Sequence, residues 1–502
     1  MQTILCSFLG SVAAHPDKCL FERPGQPEIS YAAARAIVER FAGALTELGV
    51  RPGDRVAAQV DKSPEAICLY LATLQVGGVF LPLNTAYTGS EIDLFLTDAA
   101  PRVFVCAPDT FAEHDARASG AMAVESLGAR GDGTLATRAA ATTPRTDAVA
   151  RGAQDHAAIL YTSGTTGRSK GAVLTHDNLA SNCAALLECW QFTAADRLIH
   201  VLPIFHTHGL FVAANMTLAA GATMIFLTSF DPDQVIDLMP EATVLMGVPT
   251  VYTRLLASEG LTAEATAGMR LFVSGSAPLL VEDHRAFAER TGFAILERYG
   301  MTETCMITSN PYAGERIAGA VGLPLRDVEV RITDRETGAP LPHGEIGLIE
   351  VRGPNVFEGY WQLPEKTAEE FREDGFFITG DLGRIGPDGY LRIVGRDKDL
   401  VISGGFNVYP KEIEDAIDEL PGVLESAVIG TPHPDLGEGV TALVVPRPGA
   451  SIDPDGIVAA LAGKLARFKQ PRRVIVVEEL PRNVMGKVQK AELRTAYADL
   501  YR

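Results

Sequence analysis

Residues 161–171, YTSGTTGRSKG, form a short polar run of hydroxyl side chains and glycines that could bind phosphate. The run follows the apolar, strand-like AAIL and precedes a helix predicted to begin near His176, and a strand-loop-helix context is typical of phosphate sites. Only two residues separate its glycines, so it is not a Walker A motif, and a P-loop ATPase or kinase is disfavoured. An ordinary Ser/Thr/Gly turn is the alternative. The residues predicted to contact phosphate are Thr162, Ser163, Gly164, Thr165, Thr166, Gly167 and Lys170.

Four further segments follow in order: ERYGMTET (297–304), FFITGDLG (376–383), GRDKDLVISGGFNVYP (395–410) and PRNVMGKVQK (481–490). Together with the first run they resemble the adenylate-forming superfamily of acyl-CoA synthetases, adenylation domains and luciferases, over nearly the whole chain. The resemblance implies an acid–thiol ligase: a carboxylate reacts with Mg²⁺-ATP to give an acyl-adenylate and diphosphate, and coenzyme A then takes the acyl group. Negative charge grows on the α-phosphate in the first step, so preorganised cations should supply most of the catalysis.

The resemblance also implies roles for individual residues. Lys487 is the expected cation between the acyl carboxylate and the α-phosphate, with a solvated surface lysine as the alternative. Glu303 is the expected Mg²⁺ ligand, because this hard cation prefers carboxylate oxygen. Thr302 should contact the α-phosphate, Asp381 and Arg396 the ribose, and Tyr299 the adenine face. Further ATP contacts are expected from Ser276, Ala277, Glu297, Arg298, Gly300 and Met301.

The second half-reaction in this superfamily follows a rotation of the small C-terminal domain. Lys398 occupies the hinge position, where a few residues absorb large backbone changes. Gly404 and Gly405 are predicted to line the tunnel for coenzyme A, since a missing side chain lets the pantetheine arm approach. A plain turn is the alternative for these two glycines.

Within the superfamily, HVLPIFHTHGLF (200–211), LMGVPTVYTRLL and LFVSGSAPLL resemble the malonyl-CoA synthetases. This likeness predicts malonate or methylmalonate as the acid, since one methyl group changes binding by only about 1–3 kcal/mol. The second carboxylate needs a partner, and Arg254 is the predicted arginine, with Arg285 weaker and Ser276 as an added donor. His206 resembles the histidine that gates the pocket, and His208 follows two residues later. A medium-chain or aromatic acyl-CoA ligase, favoured if Arg254 points to solvent, and an enzyme that loads a carrier protein remain alternatives.

The elements that must position these residues alternate between helices and strands. Helical periodicity over 32–50 is followed by the strand-like RVAAQV, which is typical of an α/β fold. Residues 128–154 are predicted to be a connection with a weak helix. We expect a large N-terminal domain of several sheets flanked by helices (1–396) and a small, mobile α+β domain (397–502). In the small domain KEIEDAIDEL and 453–467 are predicted helices, and VLESAVIG and VTALVVP are predicted strands.

The composition narrows the classes of partner. A chain of 502 residues exceeds the size of a single core, and its net charge of −19 argues against nucleic acid or an anionic membrane surface as a partner. The seven scattered cysteines indicate reduced thiols and no zinc site. The N-terminus lacks the basic region of a signal peptide, and 210–227 is interrupted by polar residues, so we expect a cytoplasmic protein without a membrane span. The expected partners are a small dicarboxylate, ATP and coenzyme A, with a monomer as the simplest assembly.

Overall fold

The computed structural model of the protein describes residues 3–117, 122–162, 169–482 and 487–501. Its α-helices are α1 (Ile4–Ala14), α2 (Tyr31–Glu47), α3 (Pro64–Gln75), α4 (Gly89–Ala99), α5 (Phe111–Arg117), α6 (Thr134–Ala141), α7 (His176–Cys189), α8 (Asn215–Ala220), α9 (Pro232–Leu238), α10 (Pro249–Ala257), α11 (Val281–Thr291), α12 (Pro364–Glu369), α13 (Pro410–Asp418), α14 (Pro454–Leu461) and α15 (Lys490–Ala496). A π-helix covers His208–Ala214, and 3₁₀ turns cover Met239–Glu241 and Asp397–Asp399. No helix within the described ranges is both long and apolar enough to cross a membrane.

The strands form four sheets. They are β1 (Cys19–Glu22), β2 (Ile29–Ser30), β3 (Arg55–Gln59), β4 (Val79–Pro82), β5 (Val103–Cys106), β6 (Ala123–Ser126), β7 (His156–Thr162), β8 (Lys170–Thr175), β9 (Arg197–His200), β10 (Thr223–Phe226), β11 (Val244–Gly247), β12 (Leu271–Ser274), β13 (Leu296–Met301), β14 (Cys305–Ser309), β15 (Leu323–Pro324), β16 (Glu329–Thr333), β17 (Gly347–Arg352), β18 (Gly359–Tyr360), β19 (Phe377–Ile385), β20 (Leu391–Arg396), β21 (Val401–Ser403), β22 (Phe406–Val408), β23 (Val423–His433), β24 (Gly437–Pro446) and β25 (Arg473–Val476).

Two large, mostly parallel sheets form the N-terminal domain. Their strand orders are β18-β8-β7-β4-β3-β5-β6 and β15-β14-β13-β12-β11-β9-β10-β1-β2. A third, antiparallel sheet has the order β16-β17-β19-β20, and the fourth (β22-β21-β24-β23, with β25 beside β24) belongs to the small C-terminal domain. This arrangement confirms the predicted fold class.

Helices α2 and α3 illustrate how the sequence places helices on the sheets. The Ser30 side chain caps α2 by accepting from Ala33 N–H, and the helix buries an apolar stripe that includes Tyr31, Val38 and Leu45. Helix α3 starts with a Ser63 cap and a proline at its first position. Nearly all of α3 is apolar and buried, because it packs against α2 on one side and strand β4 on the other.

Most predicted elements are found near their expected bounds. The predicted helix over 32–50 is α2, the strand RVAAQV is β3, the weak helix within 128–154 is α6, and both strands and the first helix of the small domain are present. The predicted helix over 453–467 is shorter and ends at Leu461, before Gly463. The polar run after β7 leads into strand β8, which pairs antiparallel with β7, and helix α7 begins only afterwards at His176. The predicted strand before this segment and the predicted helix start near His176 are confirmed, but strand β8 lies between the loop and the helix and was not predicted.

Candidate active site

The carboxyl ends of four strands of the nine-stranded sheet meet at one edge. Strands β9, β11, β12 and β13 are parallel neighbours, so the segments that follow them lie side by side. His206 follows β9, helix α10 with Arg254 follows β11, Ser276 follows β12, and Glu303 follows β13. One edge thus brings together residues predicted from four separate segments.

Two histidines lie at this edge, with His208 buried and His206 half-buried. His208 begins the π-helix, and its Nδ1 lies 3.4 Å from Ser276 Oγ. His206 Nδ1 and His208 Nε2 have no hydrogen-bond partner among the described residues, which leaves a polar atom of each ring for a ligand. Burial lowers the pKa of His206 to about 4, and the nearby charges of Lys487 and Arg298 add to this effect. Both imidazoles are therefore neutral at physiological pH, since burial also lowers the pKa of His208.

The side chain of Arg298 lies beside these histidines. It is 3% exposed, and its Nε and Nη2 atoms have no hydrogen-bond partner among the described residues. A Cβ atom on Gly275 would lie 2.4 Å from its Cζ, so only glycine at that position leaves room for the guanidinium. Burial lowers the pKa of Arg298 to about 9, which still leaves a cation at neutral pH. A buried, unpaired guanidinium is costly, and an anionic ligand would offset that cost.

Arg298 and Tyr299 are neighbours in β13, so their side chains point to opposite faces of the sheet. Tyr299 is buried, and its hydroxyl donates to Asp381 Oδ2. Asp381 and Arg396 are directly opposite on β19 and β20, and they form an ion pair with Asp381 Oδ1 2.8 Å from Arg396 Nε. The charge of Asp381 raises the pKa of Arg396. The three residues predicted to bind the nucleoside therefore form one group, whereas the Arg298 side chain, predicted to contact ATP, lies next to the histidines.

Glu303 lies in the tight turn between β13 and β14, next to Thr302. Its side chain is buried, and burial raises its pKa. The hydroxyl of Tyr360 lies 3.1 Å from Glu303 Oε1. Proteins often hold Mg²⁺ with one or two carboxylates and the phosphates of the substrate, so a single oriented glutamate fits this cation. Thr302 is half-buried beside it, where its hydroxyl can reach the same ligand.

Lys487 brings a cation from the C-terminal domain to this group. Burial lowers its pKa, and the charges that act on it are those of Arg396, Asp381, Glu303 and Arg298. The ammonium therefore lies within electrostatic reach of both the nucleoside-binding group and Arg298, although the side chain as a whole is exposed. This is the neighbourhood expected for a cation that joins a carboxylate to an α-phosphate.

The phosphate-binding segment is described only at its two ends. Ser163, Gly164, Thr165, Thr166 and Gly167 lie outside the described residues. Thr162 and Lys170 are paired across β7 and β8, and Thr162 Oγ1 lies 3.4 Å from the Lys170 carbonyl oxygen. Lys170 Nζ lies 3.0 Å from Glu370 Oε1 and 4.2 Å from the centre of the Tyr360 ring. Neither Tyr360 nor Glu370 belongs to a motif that the sequence analysis singled out.

The remaining predicted ATP contacts stay predictions. Ser276 lies just after strand β12 and has a φ of +74°. Non-glycine residues rarely adopt this conformation, and such residues cluster at functional sites. The Glu297 carboxylate is already held by Gly319 N–H at 2.9 Å and by His284 Nδ1 at 3.1 Å. The others are the half-buried Ala277, Gly300 and Met301, which lie at the ends of β12 and β13.

The two arginines predicted for the second carboxylate are both exposed. Arg254 lies in the last turn of α10 and Arg285 lies on α11. No ion pair of either residue occurs within the described part of the chain. An exposed Arg254 favours the alternative of a medium-chain or aromatic acid that the sequence analysis left open. Arg298, in contrast, is a buried cation at this edge.

The predicted hinge and tunnel residues lie in the link to the small domain. Lys398 is in the 3₁₀ turn Asp397–Asp399, where Asp397 pairs with Arg335 and Asp399 pairs with Arg494 at 2.8 Å. Gly404 and Gly405 form the turn between β21 and β22 with φ of +58° and +81°. Both positions favour glycine, and both glycines are exposed.

Comparison with known proteins agrees with this geometry. A family model described as AMP-binding enzyme matches residues 8–361, and one described as AMP-binding enzyme C-terminal domain matches residues 412–487. Feruloyl-CoA synthase of Amycolatopsis sp is 37% identical over 484 residues, or 95% of each protein. Malonate–CoA ligase of Arabidopsis thaliana is 40% identical over 371 residues, which cover 68% of this chain and 60% of that protein.

Solved structures give the same result. ATP-bound MatB from Rhodopseudomonas palustris is 58% identical, with a TM-score of 0.97 over 100% of this chain and 99% of that one. The apo form of MatB, also 58% identical over the same shares, gives a TM-score of 0.87. The chain belongs to the AMP-binding enzyme family, as an adenylate-forming acyl-CoA ligase.

Proposed function

We propose that the acid activated by this enzyme is malonate, with methylmalonate accepted as well, and that the products are malonyl-CoA, AMP and diphosphate. The observation that carries the proposal is the buried guanidinium of Arg298 beside His206 and His208. An aromatic or medium-chain acid would place apolar atoms against this cation and leave it unpaired. A second carboxylate would instead satisfy it with charge-assisted hydrogen bonds.

The two carboxylates of malonate are separated by one methylene group, so two cations close together are needed to bind both. The charges of Lys487 and Arg298 both lower the pKa of His206, and the charge of Arg298 also lowers the pKa of Lys487, so the two cations lie near each other and near His206. In this proposal Lys487 binds the carboxylate that attacks ATP, and Arg298 binds the one that stays free. Arg254, in the last turn of α10, is exposed and is the alternative partner for the free carboxylate.

Two relatives support different acids, because one is named a malonate–CoA ligase and another a feruloyl-CoA synthase. The sequence likeness to malonyl-CoA synthetases and the unpaired arginine favour malonate. The roles of ATP and Mg²⁺ do not depend on this choice, since every acid in the family passes through an adenylate.

A panel of acids with two arginine variants tests the proposal. Diphosphate release should be fastest with malonate, followed by methylmalonate, and slow with butyrate, hexanoate and coumarate. Arg298→Gln should lower kcat/KM for malonate by about a hundredfold or more, since removing one partner of a buried ion pair costs about 3–5 kcal/mol. The same variant should leave kcat/KM for butyrate unchanged. Arg254→Ala should raise the KM for malonate only a few-fold.

Each alternative function predicts a different result in these assays. If diphosphate release is faster with hexanoate or coumarate than with malonate, the proposal of a dicarboxylate substrate is wrong. If Arg254→Ala lowers kcat/KM for malonate more than Arg298→Gln does, the arginine that binds the free carboxylate is Arg254 on α10. Malonyl-AMP without a thioester in the presence of free coenzyme A would indicate transfer to a carrier protein instead.

A further inference from the structure

Two residues outside the predicted site connect its two ends. Lys170 lies at the end of the phosphate-binding segment, and Glu303 is the proposed Mg²⁺ ligand, 133 positions later in the sequence. Between them lie the side chains of Tyr360 and Glu370. Glu370 Oε1 is 3.0 Å from Lys170 Nζ, and Glu370 Oε2 is 2.7 Å from the Tyr360 hydroxyl. That hydroxyl also lies 3.1 Å from Glu303 Oε1, so its single proton can be donated to either carboxylate, and the hydroxyl connects Glu370 with the proposed metal-binding carboxylate.

The backbone around Tyr360 holds this chain of contacts in place. Tyr360 lies in β18, which pairs with β8, the strand that begins with Lys170. Phe357 N–H donates to the Glu303 carbonyl oxygen at 2.7 Å, so the same segment is also fixed to the turn that carries Glu303. The Tyr360 ring packs edge-on against Phe357, with ring centres 4.9 Å apart. Tyr360 therefore has little freedom to move away from either partner.

The charges along the contacts also fit a positioning role. The side chains of Lys170 and Glu370 are only 14% and 21% exposed, so solvent screens their attraction less than on the surface. The Lys170 ammonium also lies over the Tyr360 ring, an arrangement that favours a cation. An ordered lysine loses less conformational freedom on binding phosphate than one that must first be fixed.

We propose that Glu370 and Tyr360 are positioning residues for Mg²⁺-ATP: Glu370 fixes the Lys170 ammonium and the Tyr360 hydroxyl, and Tyr360 orients the Glu303 carboxylate. The proposal rests on the assigned ATP and Mg²⁺ site, but it does not depend on which acid is activated. Groups that hydrogen-bond to metal ligands commonly change metal affinity or activity by 10- to 100-fold when they are removed.

The matched control is the neighbouring Glu369. It lies one residue before Glu370, pairs with Lys366 at 2.9 Å, and is 65% exposed in its side chain. Lys366 also lies 3.2 Å from Glu370 Oε1, so Glu369→Gln removes a neighbouring charge while leaving the contacts of Glu370 with Lys366, Lys170 and Tyr360 in place. Tyr360→Phe removes only the hydroxyl and keeps the ring in its aromatic surroundings.

The experiment measures Mg²⁺-dependent ATP binding by calorimetry, thermal stabilisation by Mg²⁺-ATP, and the KM values for ATP and for the acid. Glu370→Gln and Tyr360→Phe should each weaken Mg²⁺-ATP binding about tenfold or more. The double variant should bind Mg²⁺-ATP only slightly less tightly than the single variant with the lower affinity, because the two substitutions break the same chain of contacts. The KM for the acid should stay at the wild-type value, and Glu369→Gln should behave as wild type. The melting temperature without ligand is measured for each variant, so that a loss of fold stability is separated from a loss of Mg²⁺-ATP binding.

Unchanged or tighter Mg²⁺-ATP binding in Glu370→Gln would overturn the proposal, because Glu370 would then only compete with phosphate for the lysine. Equal weakening in Glu369→Gln, or fully additive losses, would also overturn it. A failure of malonate as a substrate would leave these binding measurements intact, so the two proposals fail separately.

Discussion

The pocket at the ends of β9, β12 and β13 and the hairpin β21–β22 of the small domain differ sharply in burial. In the pocket, His208 and Arg298 are 1% and 3% exposed. On the hairpin, the apolar side chains of Ile402 and Phe406 are 51% and 55% exposed. The first region is complete in this arrangement of the domains, and the second has large apolar surface in contact with water.

The difference indicates which half-reaction this arrangement serves. Lys487 and the β21–β22 hairpin belong to the same small domain, yet only Lys487 is among the residues of the pocket. The greater similarity to ATP-bound MatB than to its apo form agrees with an arrangement for adenylation. With the roles predicted for Lys487 and for the hairpin, one domain would carry a group for each step, and this arrangement would present the group for the first.

The largest expected effect comes from replacing the cation of the first step. Lys487→Ala should lower malonate-dependent exchange of diphosphate into ATP by about a hundredfold or more, because a preorganised charge is lost where negative charge develops. Thioester formation from preformed malonyl-AMP should fall much less. Equal losses in both assays would contradict the assignment of Lys487 to the first step.

A substitution in the hairpin should act on the opposite step. Gly405→Ala meets no atom within 4 Å in this arrangement, but it places a side chain on the predicted coenzyme A path and strains a residue with φ of +81°. Thioester formation from malonyl-AMP should fall about tenfold, whereas diphosphate exchange should stay near wild type. Gly449→Ala, in the same domain, has a similar φ of +79° and open space, and serves as the control. A loss of exchange in Gly405→Ala would remove the distinction between the two regions.

The smallest expected effect concerns an ion pair between the domains. Arg447, after β24, lies 2.9 Å from Glu282 on α11, with both side chains largely exposed. Exposed pairs contribute about 0–1 kcal/mol, so Arg447→Ala should slow diphosphate exchange by no more than about fivefold and spare the thioester step. The charge-reversed double variant Arg447→Glu with Glu282→Arg should restore exchange. If it does not, the pair has no part in holding this arrangement.

The sequence predicts the fold class and most elements, because amphipathic helices and apolar strands such as α2 and β3 carry clear periods. It does not predict that β8 follows the phosphate-binding segment, since KGAVLT is a short apolar run without a decisive period. The sequence also does not predict the π-helix that begins at His208, because i→i+5 hydrogen bonding is not marked by any characteristic pattern of residue types.

In the site, motifs indicate residue types but not the direction of side chains. Arg298 stands within a motif for ATP, and only the alternation along β13 shows that its side chain faces the histidines. Glu370 was missed because its partner Lys170 lies 200 residues away, and that contact depends on the pairing of β18 with β8.

Isotope transfer shows whether a carboxylate oxygen of malonate attacks the α-phosphate of ATP, the step that the cations at the strand ends are proposed to promote. Malonate labelled with oxygen-18 in its carboxylates is incubated with the enzyme, Mg²⁺-ATP and coenzyme A, and the products are analysed by mass spectrometry. We expect one labelled oxygen in each AMP and none in diphosphate, because the bridging oxygen of the mixed anhydride leaves with AMP. Unlabelled AMP, or label in released phosphate, would contradict it.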